Sequence, residues 1–358
     1  MKKYFNILTV ILVLLTSSCS SGDGGETVVE ESCELIVTLS AKLPDKTVPV
    51  SRSGEIWGDP YPEQQGLPDE SAINSLSLYL VNSENEILSL PAVLKNSSDG
   101  KYVYKISLRL YSDFVTLRPD GIYSLTGKIV ALANYPGEGT QATPFGTPAY
   151  DVKHIKESRT IPMWGVTTVD NVTIIKEATV DIGNIELLRS IPKITIRLAD
   201  EIKDIYEIKS VVPSTENFNT TAMCQPTGCT TVSYTKDLEI EGCYNGSDDI
   251  KGPVTDFYRN GAGNELWFYP AERLCPVGTD GTPEFFTVTL HRKNSTDAPF
   301  TGRIYLCDYH NGFPDFQTAF ERIVRNHNYE YKVSLRELQF IISFREWIFG
   351  GKEHLELE

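Results

Sequence analysis

The chain has 358 residues, 41% of them hydrophobic and 23% charged, with a formal net charge of −15 and a pI of about 4.9. That length and apolar fraction suffice for two domains with cores of their own. An acidic surface of this strength repels phosphate backbones, which sets nucleic acid aside as a partner, and its simplest reading is a solvated face.

The first segment carries targeting information. "MKK" is a positively charged start, and "YFNILTVILVLL" is an apolar run of signal-peptide length, too short and too near the terminus for a good spanning helix. It stops at "TSSC". Small residues before Cys19 resemble a bacterial lipobox, in which the signal is cut before the cysteine and the thiol is acylated; an ordinary signal peptide with an incidental cysteine is the rival reading. Residues 1–18 are therefore read as a lipoprotein signal peptide. Residues 19–32 have the Gly/Ser/acid composition of a flexible tether, and their early acids resemble the surface-export signals of some Bacteroides-type lipoproteins. Acyl chains contribute about 0.8 kcal/mol per buried CH₂, so several on Cys19 anchor the chain to the outer membrane.

Beyond the tether the dominant signal has period two. "CELIVTLSA" sends Leu35, Val37, Leu39 and Ala41 to one side of a strand. A polar, proline-bounded stretch follows with Arg52 between two serines, a site open to proteases. "LSLYLV" and "KYVYKISLRLY" repeat the alternation, the second placing Tyr102, Tyr104, Ile106, Leu108 and Leu110 together, as do "ITIRLAD", "FFTVTLHRK", "IYLCDY" and "YEYKVSL". Strands with one wet face pack as antiparallel sandwiches. About fifteen such strands exceed one sandwich, which predicts an N-terminal domain over 33–187 and a C-terminal domain over 188–358. Helical spacing is rare. "DFQTAFERIVRN" aligns Phe316, Phe320 and Ile323 behind a capping Asp315 and predicts a short helix.

Seven cysteines are present; Cys19 aside, six remain: Cys33, Cys224, Cys229, Cys243, Cys275 and Cys307. An exported compartment permits disulfides, and six cysteines allow 15 pairings. Cys224 and Cys229 bracket the turn "QPTG" and form the candidate local bridge. The absence of CxxC and the scatter of the five histidines (His154, His291, His310, His327, His354) argue against zinc. "SDDI" at 247–250 lacks the spacing of a calcium loop and reads as a solvated turn. No HExxH, GxSxG, P-loop or GxGxxG motif is present, so no enzyme activity, metal or cofactor is expected. The 18 tyrosines could in part be sugar-stacking platforms, but many alternate into strand faces, where packing is the simpler role.

Several stretches in order resemble the fimbrillin superfamily, which builds type V pili of Bacteroides-type bacteria. "INSLSLYLVNSENEIL" resembles its first-domain strand–turn–strand, and "GIYSLTGKIVALANYPG" a strand ending at Asn134. "TIPMWG" (Ile161, Pro162, Met163, Trp164, Gly165) is similar to its IPM-aromatic-G signature. "IVRNHNYEYKVSL" resembles its RN-x-x-Y strand opening through Arg325, Asn326 and Tyr329, and "FREWIFGG" its tryptophan-containing tail. The resemblance spans nearly the whole mature chain and implies an all-β protein: two transthyretin-like antiparallel β-sandwich domains in tandem, with few short helices. It also implies a stalk or tip subunit of a cell-surface fimbrium. In that family a lipoprotein precursor is cut after an arginine past the first strand. Arg52 stands in that place, with a solvated loop arginine as the alternative. The strand bearing Leu35, Val37, Leu39 and Ala41 is then lost, and a neighbour's segment takes its seat by β-strand addition. "LQFIISFREWIF", with Phe340, Ile342 and Phe344 on one side, is the candidate donor; an ordinary last strand of the second domain is the equal alternative. Partners are thus other pilin subunits, membrane lipid through Cys19, and a host or bacterial surface ligand. A pilus anchor that keeps its first strand, and a glycan- or protein-binding surface lipoprotein outside any pilus, are the alternative functions.

Overall fold

The computed structural model describes residues 32–41, 70–98, 100–110, 114–136, 149–175, 178–215, 218–225, 251–252, 257–337 and 339–348. Its first half forms β1 (Ser32–Ser40), β2 (Leu76–Val81), β3 (Ile87–Leu90), β4 (Ala92–Ser98), β5 (Lys101–Arg109), β6 (Val115–Leu117), β7 (Tyr123–Ala133), β8 (Ala149–Asp151), α1 (His154–Ser158), β9 (Met163–Ile174), β10 (Thr179–Glu186) and β11 (Leu188–Arg189). Its second half forms β12 (Lys193–Leu198), β13 (Tyr206–Pro213), β14 (Phe218–Asn219), β15 (Thr221–Met223), β16 (Lys251–Gly252), β17 (Tyr258–Arg259), β18 (Glu265–Phe268), β19 (Arg273–Leu274), β20 (Phe285–Arg292), β21 (Phe300–Tyr305), β22 (Cys307–His310), β23 (Phe313–Ala319), β24 (Arg322–Ile323), β25 (His327–Arg336) and β26 (Gln339–Ile348). The protein is all-β, and α1 is the one helix among the described residues.

Two sheets enclose the first core. One runs β10-β1-β5-β4, the other β11-β9-β7-β2-β3 with β6 beside β7. Leu35, Leu39 and Ile106 from the first sheet meet Leu78, Leu125 and Ile129 from the second. The alternation of Tyr104, Ile106 and Leu108 inward and Lys101, Ser107 and Arg109 outward is what one buried and one wet face require. A second core lies between β17-β18-β12-β25-β26 and β13-β20-β21, around Ile194, Ile196, Phe286, Val288 and Tyr331. The two sheets containing β1 and β12 share a plan. β1 lies antiparallel to β5 and parallel to β10. β12 lies antiparallel to β18 and parallel to β25. Among the described residues, the strand β26, added beyond β25, has no counterpart beyond β10.

The helix expected behind Asp315 does not form. That segment is β23, paired with β22 through His310↔Phe313. The turn is Asn311-Gly312, both with positive φ (52° and 87°), the conformation a two-residue hairpin loop needs. Asp315 caps no helix: its Oδ1 accepts a hydrogen bond from the Gln317 amide at 3.0 Å. Phe316, placed by helical spacing on a buried stripe, is exposed and lies 4.8 Å from the Tyr305 ring.

The motif residues singled out in the sequence are structural. Asn134 adopts φ 56° at the end of β7. Its Oδ1 accepts from the Asn74 amide at 2.8 Å, and its Nδ2 donates to the carbonyls of Ala72 (2.6 Å) and Ile161 (3.1 Å). Asn is one of the few side chains tolerated in that backbone region. In "IPMWG", Met163 and Trp164 are fully buried, and the Pro162 carbonyl accepts from both the amide and the hydroxyl of Ser190.

Candidate functional site: the seat of the first strand

β1 is an interior strand. Along it Cys33, Leu35, Val37, Leu39 and Ala41 are all 0–2% exposed, while Glu34, Ile36, Thr38 and Ser40 lie half-buried on the other face. The continuous register Ser32↔Arg109 to Ser40↔Lys101 ties it to β5. On the other flank it meets β10 in parallel, with an irregularity between Ile36 and Thr38 opposite Gly183.

The two ends of the seat differ. At the start Glu34 pairs with Lys105 on the outer face, and its amide donates to the Ala178 carbonyl at 3.1 Å. The Lys105 ammonium holds the Glu34 carboxyl below the usual glutamate range. At the far end the Leu187 amide donates to the Ser40 carbonyl (2.9 Å), the Ala41 amide donates to the Gly100 carbonyl (2.8 Å), and Arg189 Nη2 donates to the Ala41 carbonyl (3.2 Å). Arg189 is 1% exposed. Its Nε donates to the Glu70 carbonyl at 2.9 Å, and its backbone amide to Asn326 Oδ1 at 3.1 Å. One guanidinium therefore holds both ends of the segment 42–69. Arg52 belongs to that segment and lies outside the described residues, as does Cys19.

The Glu70 side chain continues this junction. Its carboxylate accepts from Lys193 Nζ at 2.7 Å and from the Tyr269 hydroxyl at 2.6 Å. Lys193 Nζ also sits 5.3 Å from the Trp267 ring centroid. Burial, reinforced by the Glu70 charge, pushes the Tyr269 phenol well above its ordinary range, so it keeps the proton it donates. Nearby, Arg325 Nη2 reaches Glu272 Oε2 at 2.5 Å, and the Arg325 amide donates to Glu272 Oε1 at 2.9 Å. Buried charges are tolerated when paired and hydrogen-bonded in this way. Tyr329 accepts from the Val324 amide, completing the role of "RN-x-x-Y".

Chain crossing brings β10 and β11 to this site. The chain leaves the β1 sheet at Glu186 and joins β9 of the facing sheet at Leu188, paired with Trp164. Gly165 permits the crossing, because a Cβ there would lie 2.6 Å from the Glu186 carbonyl and 2.8 Å from Ile185 Cγ2. Gly165→Ala is expected to cost about 1–3 kcal/mol by overpacking against backbone, read as a lowered urea midpoint with an unchanged m-value. An unchanged midpoint would show that β10 can move away freely.

The expected donor residues pack on their own chain. β26 pairs with β25 from His327↔Ile348 to Arg336↔Gln339. Ile342 and Phe344 are buried in the second core, with the Phe344 ring 4.9 Å from Tyr331 and 5.2 Å from Phe320. The Phe340 ring lies tilted 5.4 Å from that of Phe300 and covers Gly302, where a Cβ would overlap its ring. On the other face Arg345 Nε donates to Glu330 at 2.8 Å. Cys224 is buried and carries no disulfide among the described residues; Cys229 and the turn at 247–250 lie outside them. Burial pushes the thiol of Cys33 up to about 11 and those of Cys224, Cys275 and Cys307 up to about 12, so these cysteines stay protonated at neutral pH and are inert packing groups. No group of His, Cys, Asp and Glu suited to a metal ion occurs among the described residues, and none of their helices is long and apolar enough to cross a membrane.

The architecture has solved counterparts. The tip fimbrial protein Mfa3 of Porphyromonas gingivalis, solved with a C-terminal truncation, superposes with a TM-score of 0.50 at 13% identity, over 88% of this chain and 99% of that one. The chain has the fold of a fimbrial tip protein. A protein described as a cell adhesion protein of Bacteroides uniformis aligns over 90% of this chain and 99% of that one, with a TM-score of 0.45 and 11% identity. The fimbrilin FimA of P. gingivalis aligns over 90% and 99%, with a TM-score of 0.43 and 12% identity. No protein-family model and no curated protein sequence matches the chain.

Arg189, Glu70, Lys193 and Tyr269 were not expected from sequence. The available signal was charge in the wrong place: "LLRSIPKI" sets Arg189 and Lys193 between leucines and isoleucines.

Proposed function

We propose that the chain is a non-catalytic, adhesive pilus subunit of the fimbrillin type, a stalk or tip pilin of a cell-surface fimbrium, assembled by β-strand exchange. The observation that carries this reading is β1 itself. It is an interior strand with five buried side chains, yet it joins the rest of the chain through one segment whose ends meet at Arg189. Cleavage after Arg52 turns that strand into a separate, replaceable piece. The fold shared with a tip fimbrial protein supports the same reading. In this reading the precursor is an outer-membrane lipoprotein acylated at Cys19, with domains over 33–187 and 188–358. Its partners are other pilin subunits and a surface ligand. Phe340, Ile342 and Phe344 stand on an edge strand, from which donation to a neighbour breaks one ladder rather than two.

An anchor that keeps β1 is the second reading, favoured by the tight closed end of the seat. N-terminal sequencing of the protein recovered from fibres separates the two. A start at Ser53 is expected, and Arg52→Ala is expected to hold the chain as an acylated precursor and stop its incorporation. Fibre-borne protein that still begins at acylated Cys19 sinks the pilin reading and favours the anchor.

A further inference from the structure

We propose that the seat of β1 selects its occupant by size and register: it takes an extended aliphatic segment of another subunit that ends on a small residue beside Arg189, and it excludes this chain's own aromatic β26. The proposal rests on the strand-exchange reading above.

Size comes from the neighbours of each buried position. Cys33 lies opposite Leu108, Leu35 between Val180 and Ile106, Val37 opposite Tyr104, and Leu39 between Ile185 and Tyr102. Ala41 closes the row against Gly100. All five side chains are at most 2% exposed, so each place is filled by the residue it now holds. Interiors packed this closely register even one added methylene. Laid into this row in either direction with its apolar side inward, β26 puts its two phenyl rings at the places of Cys33 and Val37, of Leu35 and Leu39, or of Val37 and Ala41. Each placement exceeds the residue present. A slip of one residue turns Gln339 and Arg345 inward instead.

Register comes from the closed end. Leu187, Gly100 and Arg189 bind three successive backbone positions of residues 40 and 41. Arg189 is buried, so its Nη2 calls for a carbonyl at the place of the Ala41 oxygen. The outer face adds two polar readers: Lys105 for an acid at the position of Glu34, and Asn184 for the hydroxyl of Ser40. The fitting occupant is thus an aliphatic strand with an acid near its entry end. A second copy of this chain does not supply it through β26, so growth through this seat joins unlike subunits.

The test uses the full chain cut after Arg52, with β1 still bound, challenged with isotope-labelled peptides and read by native mass spectrometry. The peptide of residues 33–41 is expected to exchange with β1. The same peptide with Ala41→Phe, the same peptide lacking Thr38, and the peptide of residues 339–348 are each expected to exchange at least about tenfold less, the ratio that an overpacking penalty implies. Exchange of the 339–348 or Ala41→Phe peptide as complete as that of 33–41 overturns the size selection and leaves strand exchange standing. Equal exchange of the peptide lacking Thr38 overturns the register. Failure of every peptide, including 33–41, overturns both this proposal and the strand-exchange reading.

Discussion

Replacing Leu35 and Leu39 together by alanine is expected to unfold the first sandwich while the second stays folded. Each side chain is fully buried in the first core, and a buried Leu→Ala change costs about 2–5 kcal/mol. Two such changes approach about 4–10 kcal/mol, against a stability of about 5–15 kcal/mol for an ordinary domain. The two sites share one strand, so their costs need not add. Ile36 and Thr38, on the half-buried face, offer a control, since replacing both by alanine removes far less buried surface. Hydrogen exchange reads the outcome strand by strand: amides of β5, β7 and β10 should lose protection and those of β12 and β25 should keep it. Retained protection in β5 would mean that the first core stands without β1, and that no vacancy needing an occupant arises when β1 leaves.

Glu272→Ala is the second change with a large expected effect, about 3–5 kcal/mol, because it strips the carboxylate from a buried guanidinium. Arg325 is 1% exposed and uses Glu272 twice, through its side chain and its backbone amide. The bond from Nη1 to the Cys224 carbonyl at 2.9 Å brings no countercharge. Urea unfolding should show the loss directly. The double variant Glu272→Met, Arg325→Met should recover much of it, since an apolar pair of similar volume avoids the unpaired charge. If the single variant loses under about 1 kcal/mol, the range of an exposed pair, the site is wetter than its burial indicates.

Much of the fold is legible in the alternation of single strands. β1, β2, β5 and β20 each carry a buried and a less buried face, and those faces coincide with the period-two reading. The error at residues 315–326 has a local cause. Phe316, Phe320 and Ile323 fit a helical stripe, but Asn311-Gly312 just before them is a strong hairpin signal, and the hairpin won. Asn134 and Asn326 were visible as motif residues, although nothing in one sequence states that both adopt positive φ. The charged junction was illegible for a different reason. Glu70 and Tyr269 are 199 positions apart, and period-two patterns say nothing about which distant side chains meet. Arg189 is the instructive case: a charge close to apolar residues was a signal the sequence reading passed over, and only the fold shows that it grips residues 41 and 70 together.

The Arg189 clasp has a mechanical consequence. Tension drawn along a strand in that seat loads the hydrogen bonds on both flanks in shear, many at a time, instead of opening them one by one like a zip. The same guanidinium hands the load to Glu70 and its Lys193 partner, and the Arg189 backbone amide hands it to Asn326. Traction on the strand is therefore shared by a buried, bonded linkage rather than carried by the strand's own ladder alone.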